Sequence, residues 1–158
     1  MKDVFDVKRS ADGDDVLKKL NNPFVNVINT GDADYALEDI ESGYVLVDVA
    51  ATAARTITLP APSKGLYFKV IWTAASDAFH TIITAKAAAD LIKGQVQWVD
   101  SDTDTGADTF EILANGSAHY ILTVNDDIEQ GSWIELVSDG TYWYCTGLIS
   151  ATATPAWS

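Results

Sequence analysis

The sequence predicts a mainly β protein, an antiparallel β-sandwich or jelly-roll-like domain with a short N-terminal arm. Segments in which hydrophobic and polar residues alternate recur at intervals of roughly 8–12 residues, separated by turn-forming residues. Near the C-terminus, two aromatic runs at residues 133–137 and 142–145 flank Asp139-Gly140. An Asp-Gly pair between alternating strands predicts a hairpin with a two-residue type I′ turn. A chain of 158 residues, 47% of them hydrophobic, is long enough to bury one such core.

Three segments are expected along the chain. Residues 1–22 form an arm, in which a short helix over residues 14–20 is stopped by Asn21-Asn22-Pro23. Such a short helix must dock on something, because isolated helices of this length are unstable. Residues 23–149 form the β domain. Residues 150–158 form an extended C-terminal tail, with Trp157 anchoring it on a neighbour.

The strands of the β domain are predicted where β-branched and aromatic residues concentrate between turn residues. They fall at residues 24–28, 35–40, 44–49, 56–59, 66–73, 81–84, 95–99, 109–113 and 118–124, followed by the two strands of the hairpin. Residues 85–92 contain several alanines, which permit a helical turn. Because Lys93-Gly94 follows at once, we interpret that segment as irregular.

The charge balance excludes several classes of partner. The chain has 23 acidic and 10 basic residues, a formal net charge of −13. Nucleic-acid binding depends on Lys and Arg that neutralise phosphates, so we expect no nucleic-acid partner and no anionic membrane partner. We find no apolar run of bilayer-spanning length and no secretory signal, and expect synthesis in a cytoplasm.

The cysteine and the histidines do not form a recognisable site. Cys145 is the single cysteine, which excludes an intrachain disulfide, and it is expected to be a small buried hydrophobe in the last strand. His80 and His119 have no Cys or His at metal-ligand spacing, so a structural role is expected for both. No nucleophile elbow, phosphate loop or dinucleotide fingerprint is present, and we predict neither enzymatic activity nor a cofactor.

An acidic loop is the one candidate metal site. Asp100, Asp102, Asp104 and Glu111 match the first, third, fifth and twelfth positions of a Ca²⁺-binding EF-hand loop. The pattern then departs, because Gly106 lies at the seventh position rather than the sixth. β-like sequence also flanks the loop on both sides. A solvated acidic loop is therefore the favoured interpretation, with Ca²⁺ binding as the alternative.

The aromatic residues of the hairpin are the candidate contact residues. Because side chains alternate along a strand, Tyr142 and Tyr144 are expected on one face and Trp143 on the other. One set belongs to the core. The other set forms either a subunit interface or a sugar-stacking platform, and we favour the interface because exposed aromatic patches most often mark protein contacts. Trp133, on the first strand of the hairpin, belongs to the same alternating aromatic pattern.

Several short motifs occur along the chain in a definite order. A strand at residues 44–49 precedes Ile-Thr-Leu-Pro-Ala at 57–61, and a Gly-plus-strand segment follows at 65–72. Ile-Lys-Gly lies at 92–94, and Val-Ser-Asp-Gly-Thr-Tyr-Trp-Tyr ends the series at 137–144. This order resembles that in structural proteins of tailed-phage virions. The resemblance covers roughly residues 29–147, and it is carried by turn chemistry and strand patterning.

The resemblance implies a mostly β, trimeric virion protein. A compact module with only a short arm is more similar to a capsid decoration (cement) protein than to a long fibre. Such a protein binds the major capsid protein on the outer surface of the head. In this interpretation Phe5, Lys8 and Arg9 of the arm contact the capsid. The alternative implied by the same resemblance is a tail-fibre or head-fibre tip that binds host-surface glycans.

Overall fold

A computed structural model describes residues 26–47, 53–75, 80–84, 91–101, 110–114, 119–124 and 127–158. The predicted arm, with Phe5, Lys8 and Arg9, lies outside the described residues, and so do Asp102 and Asp104. Within the described ranges, the structure contains no helix whose length and hydropathy would carry it through a lipid bilayer.

Twelve strands make up most of the described residues, and the mainly β prediction is confirmed. In chain order they are β1 (Asn26–Asn29), β2 (Tyr35–Ala36), β3 (Gly43–Val47), β4 (Arg55–Leu59), β5 (Tyr67–Trp72), β6 (His80–Thr84), β7 (Ile92–Asp100), β8 (Phe110–Ala114), β9 (Ile121–Val124), β10 (Trp133–Ser138), β11 (Trp143–Ala151) and β12 (Ala156–Trp157). A 3₁₀ turn, Asp39–Glu41, lies between β2 and β3, where the sequence had predicted that a strand continues to residue 40.

The strands form two sheets. The larger has the order β1-β3-β5-β10-β11-β7-β8, and the smaller has the order β12-β9-β6-β4-β2. The first six strands alternate between the sheets, so β1, β3 and β5 are successive neighbours in one and β2, β4 and β6 in the other. The β10–β11 hairpin separates β5 from β7. The chain therefore winds from sheet to sheet before the hairpin inserts into the larger one.

The antiparallel prediction is wrong for half of the strand pairs among the described residues. Five pairs are parallel, namely β1–β3, β3–β5, β2–β4, β4–β6 and β7–β11, and the other five are antiparallel. Alternating hydrophobicity shows which face of a strand is buried, but it carries no information on the direction of the neighbouring strand. Because the chain crosses to the other sheet between neighbours, each new strand enters its sheet in the same direction as the one before.

One hydrophobic core draws residues from both sheets. Val45 and Phe68 of the larger sheet belong to the same cluster as Ile57 and Leu122 of the smaller sheet, and each is at most 1% exposed. The fully buried aromatic side chains are Trp72, Trp143 and Phe68. Burying a large apolar side chain stabilises a fold by about 1.5–3 kcal/mol, so this shared cluster is the main source of stability.

The predicted hairpin is present, but its turn differs from the predicted type. Ser138 pairs with Trp143, so four residues connect the strands rather than two. Gly140 has φ +96°, whereas Asp139 does not have positive φ. The Asp139 carboxylate accepts hydrogen bonds from the backbone N–H groups of Thr141 (2.7 Å) and Tyr142 (2.8 Å). This side-chain acceptor satisfies the turn locally, so a second residue with positive φ is not needed.

The C-terminal tail folds back on its own chain. Strand β11 continues to Ala151, and Ala156 and Trp157 then pair with Thr123 and Leu122 of β9. Trp157 is partly buried against the core of the same chain. The expectation that Trp157 anchors the tail on a neighbour is therefore wrong, because the edge of β9 offers it a backbone ladder within its own chain.

Candidate interaction surface

Side chains on the solvent side of the larger sheet line up in three rows. We call this surface the outer face. The first row is Tyr67, Val137, Tyr144 and Lys93; the second is Tyr44, Lys69, Glu135, Thr146 and Gln95; the third is Leu46, Ile71, Trp133, Leu148 and Gln97. Each row crosses adjacent strands in direct register. The rows alternate along each strand with the buried core residues, so they share the opposite face of the sheet.

The third row is apolar across four neighbouring strands. Leu46, Ile71, Trp133 and Leu148 are direct cross-strand neighbours on β3, β5, β10 and β11. Directly opposed side chains lie within about 5.5 Å of each other at Cβ, so the four form a continuous apolar stripe.

An ion pair occupies the centre of the outer face. Lys69 Nζ lies 2.8 Å from Glu135 Oε1 and 4.3 Å from the centroid of the Trp133 ring. The side chains of Lys69 and Glu135 are 23% and 31% exposed. Burial, and after it the negative charge of Glu135, raise the pKa of Tyr67. The rings of Tyr67 and Tyr44 meet edge to face at 6.5 Å.

The first row carries two exposed large side chains. Val137 and Tyr144 are each 45% exposed and are direct cross-strand neighbours. The Tyr144 hydroxyl donates a hydrogen bond to Asp139 Oδ2 at 3.0 Å, and this bond raises the pKa of Tyr144. At the end of the row, Lys93 Nζ lies 3.5 Å from the centroid of the Tyr142 ring.

Of the three candidate contact residues Tyr142, Trp143 and Tyr144, the structure places Trp143 in the core. Trp143 is fully buried, with Nε1 donating to the Pro60 carbonyl oxygen at 3.2 Å and with Phe68 at 5.7 Å between ring centroids. It is therefore a core residue. Tyr144 lies on the outer face, and Tyr142 lies at its rim beside Lys93.

Sequence reasoning missed the part of the outer face that lies beyond the hairpin. Tyr44 and Tyr67 belong to distant strands, and they join Trp133 and Tyr144 through sheet pairing. The alternation within each strand did contain a signal. Tyr44 precedes buried Val45 and Tyr67 precedes buried Phe68, so each tyrosine points to the face opposite the core. What the alternation lacked was the strand order that brings these residues onto one surface.

The short sequence motifs at residues 57–61, 65–72 and 92–94 meet the motif at 137–144 around Trp143. The Trp143 indole donates a hydrogen bond to the Pro60 carbonyl oxygen. Ser138 accepts a backbone hydrogen bond from Gly65 and donates one to Leu66. The Ile-Lys-Gly segment pairs directly with Trp143, Tyr144 and Cys145. A Cβ on Gly94 would collide with the Cys145 carbonyl oxygen. These motifs therefore have structural roles in joining β5, β7, β10 and β11.

The remaining sequence candidates lie on the paired strands β7 and β8 and just before β9. Asp100 ends β7 and Glu111 lies in β8, and across the described ranges no three His, Cys, Asp or Glu side chains group as a metal site would. The Ca²⁺ alternative also needs Asp102 and Asp104, which lie outside those ranges. The His119 carbonyl accepts a hydrogen bond from the Ile92 N–H.

The predicted burial of Cys145 is confirmed. The side chain is 4% exposed and belongs to the core cluster. Burial raises the pKa of the thiol, so the reactive thiolate is scarce at neutral pH.

The outer face consists mainly of side chains that offer contact area. Its tyrosines, tryptophan and aliphatic residues offer contact area, and its one carboxylate is already paired with Lys69. Comparisons with known proteins add no constraint: no protein-family model, no curated protein and no solved structure matches this chain.

Proposed function

We propose that this protein is a non-enzymatic phage capsid decoration (cement) protein, a homotrimer that binds the outer surface of the head and stabilises it. Its two sheets pack as a β-sandwich of mixed strand direction, a proposal that the shared core supports. The observation that carries the function is the outer face, an aromatic and apolar surface on a strongly acidic chain. The resemblance in motif order supplies the virion context.

The composition of the outer face supports binding to protein. Tyrosine and tryptophan are enriched in protein interfaces, whereas aspartate and glutamate are depleted. The outer face has this bias, with Tyr44, Tyr67, Tyr144 and Trp133 against a single carboxylate, Glu135. In a chain with net charge −13, such a surface is unusual and marks a place where water is displaced on binding.

Attachment to the head is proposed to use the N-terminal arm. Phe5 supplies an apolar anchor, and Lys8 and Arg9 supply positive charge toward the major capsid protein. Three arms on one trimer would act together, since a second contact from a tethered particle forms at high effective concentration.

Co-sedimentation with purified expanded heads of the phage that encodes the chain tests the function. The full chain is expected to pellet with the heads and to raise the temperature at which they release DNA. A variant lacking residues 1–20 is expected to stay in the supernatant. Heads that bind none of the full chain would contradict the decoration function. Undiminished binding by the truncated chain would show that the arm is not what attaches the protein to the head.

A second candidate function is a fibre tip that binds host-surface glycans. The observation that favours it is Tyr144, whose exposed ring lies beside the Asp139 carboxylate and next to Lys93. Aromatic faces with flanking hydrogen-bonding groups can stack on sugar rings. Glycan-array binding that is lost in Tyr144→Ala, together with no retention on heads, would favour this function over decoration.

A further inference from the structure

We infer that the outer face is the surface through which copies of this chain join one another. This inference rests on the proposed function only for the number of copies, three. The surface itself follows from the register of β1, β3, β5, β10, β11 and β7, from the exposure of its side chains and from the distribution of charge.

The extent of the outer face matches the lower limit of a specific interface. On its β1 flank, Val27 is the direct neighbour of Tyr44 and is 58% exposed, so the face continues onto that edge strand. Six strands about 4.8 Å apart and five residues at about 3.3 Å each give roughly 500 Å² per copy. Three outer faces turned toward a common threefold axis would together remove roughly 1,500 Å² from water, which is at the low end for a specific assembly.

Every charge on the outer face already has a partner within the copy. Lys69 contacts Glu135 at 2.8 Å and also lies over Trp133, while Lys93 lies over Tyr142. Covering the centre of the face therefore buries a paired charge rather than an isolated one, which would cost several kcal/mol, and Lys93 lies at the end of its row.

The distribution of charge favours a second copy as the occupant. Copies with a net charge of −13 repel each other through most of their surfaces. The outer face carries two cations, Lys69 and Lys93, and one anion, Glu135, so the outer faces of three copies meet around the threefold axis with little repulsion. A basic partner is disfavoured because this face offers almost no negative charge. A nucleic acid is disfavoured because the face offers almost no cationic track.

Charged substitutions at two exposed aliphatic residues test the assignment. Val137 lies on the outer face at 45% exposure, and Ile40 lies in the 3₁₀ turn outside the three rows at 79% exposure. Light scattering across a dilution series would compare the wild type with Val137→Lys, Val137→Glu, Ile40→Lys and Ile40→Glu. Thermal denaturation would confirm that each variant is folded.

We expect a wild-type trimer and, for both Val137 variants, a dissociation constant raised at least about tenfold. The Ile40 variants should stay within about twofold of the wild type. Because Lys and Glu change the net charge in opposite directions, a shared effect at Val137 reports lost apolar contact rather than altered long-range repulsion.

Several outcomes would overturn the inference. They are a wild-type monomer at high concentration, a trimer that both Val137 variants preserve, or equal dissociation by the Ile40 and Val137 variants. Co-sedimentation with expanded heads separates the two proposals. A monomer that pellets with heads retains the decoration function without this interface, whereas a Val137-sensitive trimer that does not pellet retains the interface without the function.

Discussion

At the scale of single residues, Asp139 organises the turn that presents Tyr144. Its Oδ1 accepts the backbone N–H groups of Tyr142 and Thr141, and its Oδ2 accepts the Tyr144 hydroxyl. These hydrogen bonds, first from Tyr142 and then from Thr141, lower the pKa of Asp139, because they favour the charged form. The ionised carboxylate therefore connects the turn to the outer face.

The lowered pKa of Asp139 predicts a pH-dependent contribution to stability. Because the folded pKa lies below the unfolded value of about 3.9, the contribution is present above that pH and is lost as pH falls through the folded pKa. Asp139→Ala should lower the melting temperature at about pH 7 and change it much less at about pH 2. Asp139→Asn, which keeps one acceptor oxygen, should lose less than Asp139→Ala. An equal deficit at both pH values would contradict this assignment.

Cys145 is predicted to be unreactive in the folded protein. Burial raises the pKa of its thiol, and only the thiolate attacks disulfide reagents. Labelling with such a reagent at neutral pH should be slow in the native state and at least about 100-fold faster in denaturant, since it requires opening of β11. Rapid labelling without denaturant would show that β11 is exposed in solution.

At the scale of elements, the parallel pairing of β7 with β11 depends on Gly94. The sequence predicted that Lys93-Gly94 ends an irregular segment, but the structure places both residues inside β7, which starts at Ile92. The missing side chain of Gly94 permits a close approach to the Cys145 carbonyl, and its φ of +133° is one that L-residues rarely adopt. The glycine therefore allows the strand to continue, rather than ending it.

Gly94→Ala should destabilise the fold by more than about 2 kcal/mol, because both the backbone angle and the contact with Cys145 oppose a Cβ. Gly65→Ala is the matched control, since Gly65 has φ +89° but a Cβ added there would meet no atom within 4 Å. Its cost should be only about 1 kcal/mol, from the backbone angle alone. Urea denaturation would measure both, and equal costs would show that the contact with Cys145 is unimportant.

At the scale of the whole molecule, net charge opposes compactness. The formal charge is −13, and within the described residues two ion pairs are present, Arg55–Asp32 and Lys69–Glu135, each partly exposed. Such pairs contribute little when exposed to water, so repulsion among the excess carboxylates is the larger electrostatic effect.

The melting temperature should rise by a few degrees when NaCl is raised from about 0.02 M to about 0.5 M, because salt shortens the range of the repulsion. The comparison should be made at a protein concentration where light scattering shows the same oligomeric state in both buffers. A falling melting temperature would mean that the ion pairs outweigh the repulsion.

Part of the candidate surface was predictable from sequence. The hairpin, the burial of Cys145 and the opposite orientation of Trp143 and Tyr144 follow from local alternation, because successive side chains of a strand point to opposite faces. The type of turn was not predictable, because the Asp139 side chain itself accepts hydrogen bonds from the backbone N–H groups of the turn. Nor was the contribution of Tyr44 and Tyr67, which depends on their distant strands being brought next to the hairpin.

The sequence by itself determined that the chain forms strands, which face of most strands is buried, and that the chain carries a net charge of −13. Only the tertiary structure decided the parallel pairings, the return of β12 onto β9 and the assembly of the outer face. The physical reason is the separation along the chain over which each effect acts. Alternation acts between neighbouring residues, whereas pairs such as Lys69 and Glu135, 66 residues apart, depend on how the whole chain closes around one core.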